Sequence, residues 1–317
     1  MIDARVAPAG PVHEAALYGD QDELLDVVVP FVAAGARAGE AVVVALDGRD
    51  ADRVRAATAG DPRIAYLSPA DAYARPAVTL RTFRSLVDRR LAGGIARVRM
   101  VGALPARVVG SAWDAWCRYE AAVERVFARA PVSLLCAYDT RVASDEVLAD
   151  VEQLHHRLAL PGGVLVAPGR TAGPEELVAR HPPPPPDPLE AGPPDLELVD
   201  PSVREARRRA HALAGAAGHG DQGADEVGLA VSETVSNARV HGRPPVVVRG
   251  WAGPDRVVIT VADQGPGPAD ALVGLAPVAP DARDGRGLWI VQQLCPDVAL
   301  VRAEGTFTVR LRFPRTG

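Results

Sequence analysis

Four short groups of residues in the last third of this 317-residue sequence have types and spacings suited to chemistry. Glu233, Asn237 and His241 recur every four residues, so a helix would place all three on one face. Asp263-Gln264-Gly265-Pro266-Gly267 follows the apolar run VVITVA. This is a carboxylate at a strand end followed by two glycines, whose backbone tolerates positive φ and close approach of a ligand. Gly285-Arg286-Gly287-Leu288 opens the run LWIVQQL. A glycine pair at a helix N-terminus offers amide N–H groups and the helix dipole to an anion. Gly305-Thr306-Phe307-Thr308 starts the last strand, where an inward Thr hydroxyl would reach a bound base. Taken singly, each group has an ordinary explanation: a solvated helix face, a surface turn, a loop-to-helix junction.

The elements that must hold these residues are legible from periodicity. Leu196 to Val199 reads as a short strand, and Asp200-Pro201 starts an Arg-rich helix to about Ala217, with proline in its first turn. A second helix runs from Asp221 or Asp225 to Val240 and stops at Gly242. Strands follow at 245–251 and 257–262, a helix at 288–294, and strands at 298–303 and 306–313. Strands adjacent in sequence predict a mixed or antiparallel sheet with helices on one face, an α+β arrangement.

In this order and on these elements, the four groups resemble the GHKL ATPase superfamily with its Bergerat fold. SETVSNARVHG is similar to the N-box of the anti-sigma-factor serine kinases, and GRGLWIVQQLC to their second glycine box. The resemblance implies an ATP site holding Mg. Asn237 would ligate the Mg ion, and Glu233 would act as general base or orient the attacking hydroxyl. Asp263 would accept from the adenine amino group. Gly265 and Gly267 would let the chain turn under the base, Gly285 and Gly287 would line the phosphates, and Thr308 would sit near the adenine. Arg286 is assigned to the γ-phosphate from charge need alone. His241 stands at the helix end, where a dipole or capping role is the common one. The stretch between Gly267 and Gly285, with Pro268, Pro277 and Pro280, is a short lid.

The first half alternates helix and strand: helices at 21–37, 78–91, 113–130 and 144–158, strands at 41–46, 64–67, 98–103, 132–138 and 164–167. This pattern predicts an α/β domain with a doubly wound, mainly parallel sheet, with a ligand site at the C-terminal strand ends. HEAALY at His13, VVPFVAAGARAGEAVVVAL and RYEAAVERVFARAPVSLLCAYD resemble the MEDS sensory domain, which implies a regulatory role. His13, Glu120, Cys136 and Asp139 are candidates to converge on a small ligand or a metal. Their spacing matches no metal pattern, which favours reading Cys136 as a buried strand residue, Glu120 as a helix-surface charge and His13 as an N-terminal staple. The proline-rich stretch 169–195 reads as a semi-rigid linker. It separates a sensory domain at 1–168 from an ATP-binding domain at 196–317.

Composition narrows the function. The chain has no lysine, so all 35 basic residues are arginine and a Walker-type phosphate loop is excluded. A net charge of -5 argues against nucleic acid as a partner. No run is long and apolar enough for a membrane span, no signal-peptide pattern opens the chain, and three scattered cysteines suit a reducing cytoplasm. The expectation is a cytoplasmic anti-sigma regulatory factor, a serine/threonine kinase whose partners are a sigma factor and its antagonist protein, with homodimerisation implied by related kinases. The alternatives are a nucleotide-gated binding module and, less favoured, a sensor histidine kinase. The last requires a helical hairpin with a phospho-accepting His. His155-His156-Arg157 and His211-Ala212 lack the following acid, and His13-Glu14 lacks the hairpin.

Overall fold

A computed structural model describes residues 11–68, 72–169, 172–276 and 285–315. The chain divides into two compact units, Met1–His181 and Pro182–Gly317.

The first unit is built on seven strands: β1 Val12–Tyr18, β2 Ala41–Ala45, β3 Ile64–Tyr66, β4 Val98–Ala103, β5 Val132–Asp139, β6 Arg157–Leu160 and β7 Val164–Val166. They lie in the order β3-β2-β4-β5-β1-β6-β7. Every neighbouring pair is parallel except β6 with β7. The helices are α1 Gln21–Arg37, α2 Gly48–Ala57, α3 Pro76–Ala92, α4 Ala106–Ser111, α5 Trp113–Phe127, α6 Asp145–Leu154 and α7 Pro174–Arg180. This is the predicted doubly wound, mainly parallel α/β arrangement. α1 starts where Asp20 accepts from the amides of Asp22 and Glu23, and the chain leaves it through Gly39 at φ 73°. Buried Val42, Val43 and Val44 form a continuous apolar strand, as a sheet covered on both faces requires.

Several elements depart from the sequence reading, among them the unanticipated helices α2 and α4. β1 was not anticipated as a strand. α6 ends at Leu154 rather than 158, because His155 turns back and its Nδ1 lies 2.7 Å from the Val151 carbonyl. The amide of His156 then donates to the His13 carbonyl, and the chain re-enters the sheet as β6 beside β1.

The second unit contains β8 Leu196–Val199, α8 Val203–Ala216, α9 Asp221–His241, β9 Val247–Ala252, β10 Arg256–Asp263, α10 Arg286–Leu294, β11 Asp297–Ala303 and β12 Thr306–Pro314. The sheet order is β11-β12-β10-β9-β8, and each of these pairings is antiparallel, so the mixed alternative is not the one adopted. α8 begins at Ser202, whose Oγ accepts from the Glu205 amide, so Pro201 stands just before the cap rather than inside the first turn. Ala206, Ala210 and Ala214 put small side chains at four-residue intervals along α8, which lets α9 approach closely. Val227, Val231 and Val235 of α9 and Val291 of α10 then pack on Ile259, Val261, Phe307, Val309 and Leu311 of the sheet. Each valine so buried contributes about 1.5–3 kcal/mol.

The proline-rich stretch is more structured than a spacer. Its first part forms α7, which packs on α5. Its later part belongs to the second unit. There Asp187 heads a capping box with Glu190 and pairs with Arg256 at 2.8 Å and Arg312 at 2.7 Å. Trp251 donates to the Gly192 carbonyl at 3.0 Å. These contacts cover the sheet face opposite the helices, where the alternate β12 side chains Arg310 and Arg312 point. Among the described residues, no helix is long and apolar enough to cross a membrane.

Candidate nucleotide site

The C-terminal end of α9, the end of β10 and the start of α10 enclose a cavity of about 310 Å³, within the size range of small-molecule sites. Asn237, Ala238, His241 and Gly242 form one wall. Gly285 and Leu288 form another, and Val261, Phe307 and Val309 form an apolar floor able to take a flat heteroaromatic ring. Asp263 is the buried carboxylate at its base. Its Oδ1 accepts from the amide of Gly265 at 2.6 Å and that of Arg243 at 3.3 Å, which fixes the side chain's orientation.

The glycines are spatial requirements. Gly267 has φ 69°, and a Cβ there would stand 2.4 Å from the Phe307 ring. Gly285 caps α10 in the left-handed region at φ 88° and has no side chain of its own to cap the amides behind it. Those amides, with the helix dipole, suit an anion. A Cβ on Gly287 would meet Asn237 Oδ1 and Nδ2 at 2.9 Å and Glu233 Oε2 at 3.2 Å. The absence of a side chain at Gly287 thus brings the N-terminus of α10 against the polar face of α9. A bound Mg-nucleotide fits this donor set: an amide oxygen and a carboxylate beside a glycine-opened helix N-terminus, with a second carboxylate beneath an apolar slot.

The predicted residues divide accordingly. Asn237, His241, Asp263, Gly267 and Gly285 line the cavity. Glu233 and Gly287 meet beside it, and Gly265 braces Asp263 from behind. Arg286 is exposed in the first turn of α10. Thr308 does not face the cavity. Side chains alternate along β12, and Phe307 and Val309 take the inward positions, leaving Thr308 on the opposite face. Thr234, Phe307, Val309 and Leu288 were missed as lining residues, although the two-residue period of TFTVRLRF puts Phe307 in phase with the buried positions. The lid is partly packed. Leu272 and Leu275 are buried, and Gly274, at φ 80°, leaves just enough room for the Leu288 carbonyl. Pro277 and Pro280 lie outside the described residues.

In the first unit, three of the four candidates converge. His13 Nε2 lies 3.4 Å from both Cys136 Sγ and Glu120 Oε2. Glu120 is 1% exposed, so its carboxyl is buried rather than a helix-surface charge. Likewise His13 is a fully buried strand residue rather than an N-terminal staple. Asp139 is elsewhere, held by Arg141 at 2.7 Å. His155 takes the fourth place, its ring tilted 45° to that of His13 with the centroids 4.1 Å apart. Burial pushes both histidines down to about 3 and raises the Glu120 carboxyl and the Cys136 thiol.

Comparison with known proteins decides the assignment of both halves. Residues 197–313 match the family described as the histidine kinase-like ATPase domain. Residues 12–156 match MEDS, the methanogen/methylotroph, DcmR sensory domain. The chain joins a MEDS domain to a histidine kinase-like ATPase domain. No curated protein shows significant similarity to it. Among solved structures, the RsbU and RsbW domains of Rv1364c from Mycobacterium tuberculosis align at 22% identity over 40% of this chain and 34% of that one, with a TM-score of 0.29. The cytoplasmic domain of EssC aligns at 15% identity over 49% of this chain and 35% of that one, with a TM-score of 0.30. This chain therefore spans about a third of each.

The match to the ATPase family covers every residue of the cavity described above, from Thr234 to Val309. In the MEDS domain, β1 opens the matched segment and α6 closes it, so the family match encloses His13, Glu120, Cys136 and His155 together.

Proposed function

We propose that the ATPase domain binds Mg-ATP in this cavity and that the chain is an anti-sigma regulatory factor, a protein serine/threonine kinase under the control of its MEDS domain. The observation that carries the reading is the meeting of Gly287 with Asn237 and Glu233. It sets a metal-ligating amide and a carboxylate against a helix N-terminus built for phosphate. When bound, Mg-ATP supplies the phosphoryl group, and its metal neutralises the phosphate charge. Asn237 holds the metal through its side-chain oxygen. Asp263 accepts from the adenine amino group and so disfavours guanine. The amides behind Gly285 and Gly287 receive the phosphates. Glu233 orients the acceptor hydroxyl, since phosphoryl transfer needs positioning and charge neutralisation more than covalent help.

Autophosphorylation on histidine is less well supported. His13, the histidine followed by an acid, is fully buried on β1. The α8–α9 hairpin carries His211, which is followed by Ala212 and lies 3.5 Å from Asp225 within the ATPase domain itself. The placement of Glu233 beside the cavity rather than in its lining favours one second reading, a nucleotide-gated binding module.

The test is calorimetry of the full chain with Mg-ATP and Mg-GTP, then radiolabelled ATP with proteins captured in its presence. Binding of ATP over GTP and label on a serine or threonine of a captured partner support the kinase. ATP-dependent capture without label supports the binding module. A folded chain that binds no ATP defeats both.

A further inference from the structure

The strand order of the MEDS domain brings four side chains with metal-ligating atoms together, three of them buried and Cys136 half-buried. β5 and β6 flank β1, so Cys136 on β5 and His155 just before β6 stand on either side of His13 on β1. Glu120 reaches in from α5. His13 Nε2 is 3.4 Å from Cys136 Sγ and 3.4 Å from Glu120 Oε2. Cys136 Sγ is 3.7 Å, and His155 Nε2 3.8 Å, from the same carboxylate oxygen. All four ligand atoms lie within 4.8 Å of one another. Zinc binds N, O and S at about 2.0–2.3 Å, so the edges of its tetrahedron run to roughly 3.3–3.8 Å. The four separations fall in that range.

Hydrogen bonding alone leaves this cluster incomplete. The Val151 carbonyl can only accept, so His155 carries its proton on Nδ1 and presents a lone pair at Nε2. That lone pair is buried with no partner, as is Oε1 of Glu120. A histidine braced by a backbone carbonyl on one nitrogen and open on the other is the arrangement metal ligands adopt. Charge points the same way. A lone carboxylate in this interior is costly, whereas a thiolate and a carboxylate together balance a divalent cation. A second cluster in the same domain, Cys117, Asp150 and His181, supplies the contrast. There His181 bonds to Asp114 at 2.8 Å and Asp150 at 2.6 Å, and Asp150 also accepts from Trp113 at 2.9 Å. That cluster is a satisfied hydrogen-bond network.

We propose that the MEDS domain binds one zinc ion through His13 Nε2, Glu120, Cys136 Sγ and His155 Nε2. Coordination displaces the Cys136 thiol proton to solvent, together with any proton held by Glu120. Four protein ligands close the coordination sphere, which makes the site structural or metal-sensing rather than catalytic. None of the four residues belongs to the ATPase domain, so the site stands or falls independently of ATP binding.

The experiment uses the full chain. Elemental analysis of protein purified without chelator should give one zinc per chain. Chelator-stripped protein titrated with Co²⁺ should develop tetrahedral d–d bands and a thiolate charge-transfer band that saturate at one equivalent and are bleached by Zn²⁺. Cys136→Ser should lose the charge-transfer band. His155→Ala should weaken Co²⁺ binding by more than the roughly 10–100-fold that outer-shell changes cost, while His156→Ala, altering an exposed neighbour, should bind as wild type does. Wild-type protein that binds ATP yet takes up neither Zn²⁺ nor Co²⁺ overturns the proposal. So does a charge-transfer band that survives in Cys136→Ser. Should either variant fail to fold, the wild-type titration decides alone.

Discussion

Gly242 and Asp263 are in such close register that a Cβ on Gly242 would stand 2.3 Å from Oδ1 of Asp263. The same hypothetical atom would be 2.5 Å from the Ala238 carbonyl, a backbone atom that cannot swing aside, so the Asp263 side chain must give way. Gly242→Ala should therefore expel Asp263 from its bonds to Gly265 and Arg243. We expect at least a roughly tenfold loss of ATP affinity by calorimetry and an overpacking cost of about 1–3 kcal/mol in urea unfolding. Unchanged affinity would show that Asp263 does not read the base.

Metal and base recognition separate in two variants. Asn237→Ala should weaken Mg-ATP binding and leave metal-free ADP binding nearly intact. Asp263→Asn turns a pure acceptor into a group that also donates, so it should weaken adenine nucleotides with or without metal. The two calorimetric profiles should differ in their Mg²⁺ dependence. Identical profiles would mean the roles are misassigned.

Glu233 lies one turn before Asn237. Glu233→Ala should retain ATP affinity and slow phosphate transfer to a partner by about 10²–10⁴-fold, the usual contribution of a positioned base. The comparison is made with radiolabelled ATP at matched saturation. A variant as fast as wild type retires Glu233 from catalysis.

Asp187 ties the end of the proline-rich stretch to the ATPase sheet. Hydrogen bonds from Arg256 hold its carboxyl down to about 2. A depressed carboxylate stabilises the fold above its unfolded value of roughly 4 and loses that contribution as pH falls toward 2. Asp187→Asn should cost about 2 kcal/mol near neutral pH and flatten this acid limb. A fragment beginning at residue 196 should melt below one beginning at residue 182, which calorimetric melting of the two would show.

His181 has the opposite sign. Burial pulls its pKa down, but hydrogen bonds to Asp114 and Asp150 outweigh that and raise it. Its contribution to the MEDS domain is full below the unfolded value of about 6.5 and fades as pH rises through the folded value. Urea midpoints of that domain should fall from about pH 6 to about pH 9 in wild type and stay level in His181→Gln. A parallel slope in both would remove His181 as the cause.

The ATPase domain was largely legible in sequence because many of the residues at its cavity sit on local patterns. The four-residue spacing of Glu233, Asn237 and His241 and the glycine pairs need only one helix or one turn to be interpretable. Thr308 was misplaced by one residue of phase, and on a strand one residue is a whole face. In the MEDS domain, β1 was missed because His13 and Glu14 break its apolar run, although both are buried. The meeting of His13, Cys136 and His155 depends on the order β5-β1-β6, which no local spacing encodes. His155 was further hidden by a helix reading that ran past Leu154 without a breaker residue to stop it.

The absence of lysine also affects the protein's behaviour in base. Apart from histidines, the side-chain cations in its ion pairs, including Arg99 with Glu40, Arg256 with Asp187 and Arg312 with Asp187, are guanidinium groups. As a class, guanidinium groups keep their protons even in strongly alkaline solution. Burial moves Tyr73, Tyr119, Tyr138, Cys117 and Cys136 upward out of the mildly alkaline range as well. Once the histidines are neutral, few side chains remain to titrate until strongly alkaline solution, and the molecule's charge runs along a plateau. Alkali is thus a weak handle on its electrostatics, whereas acid, acting on carboxylates such as Asp187, is a strong one.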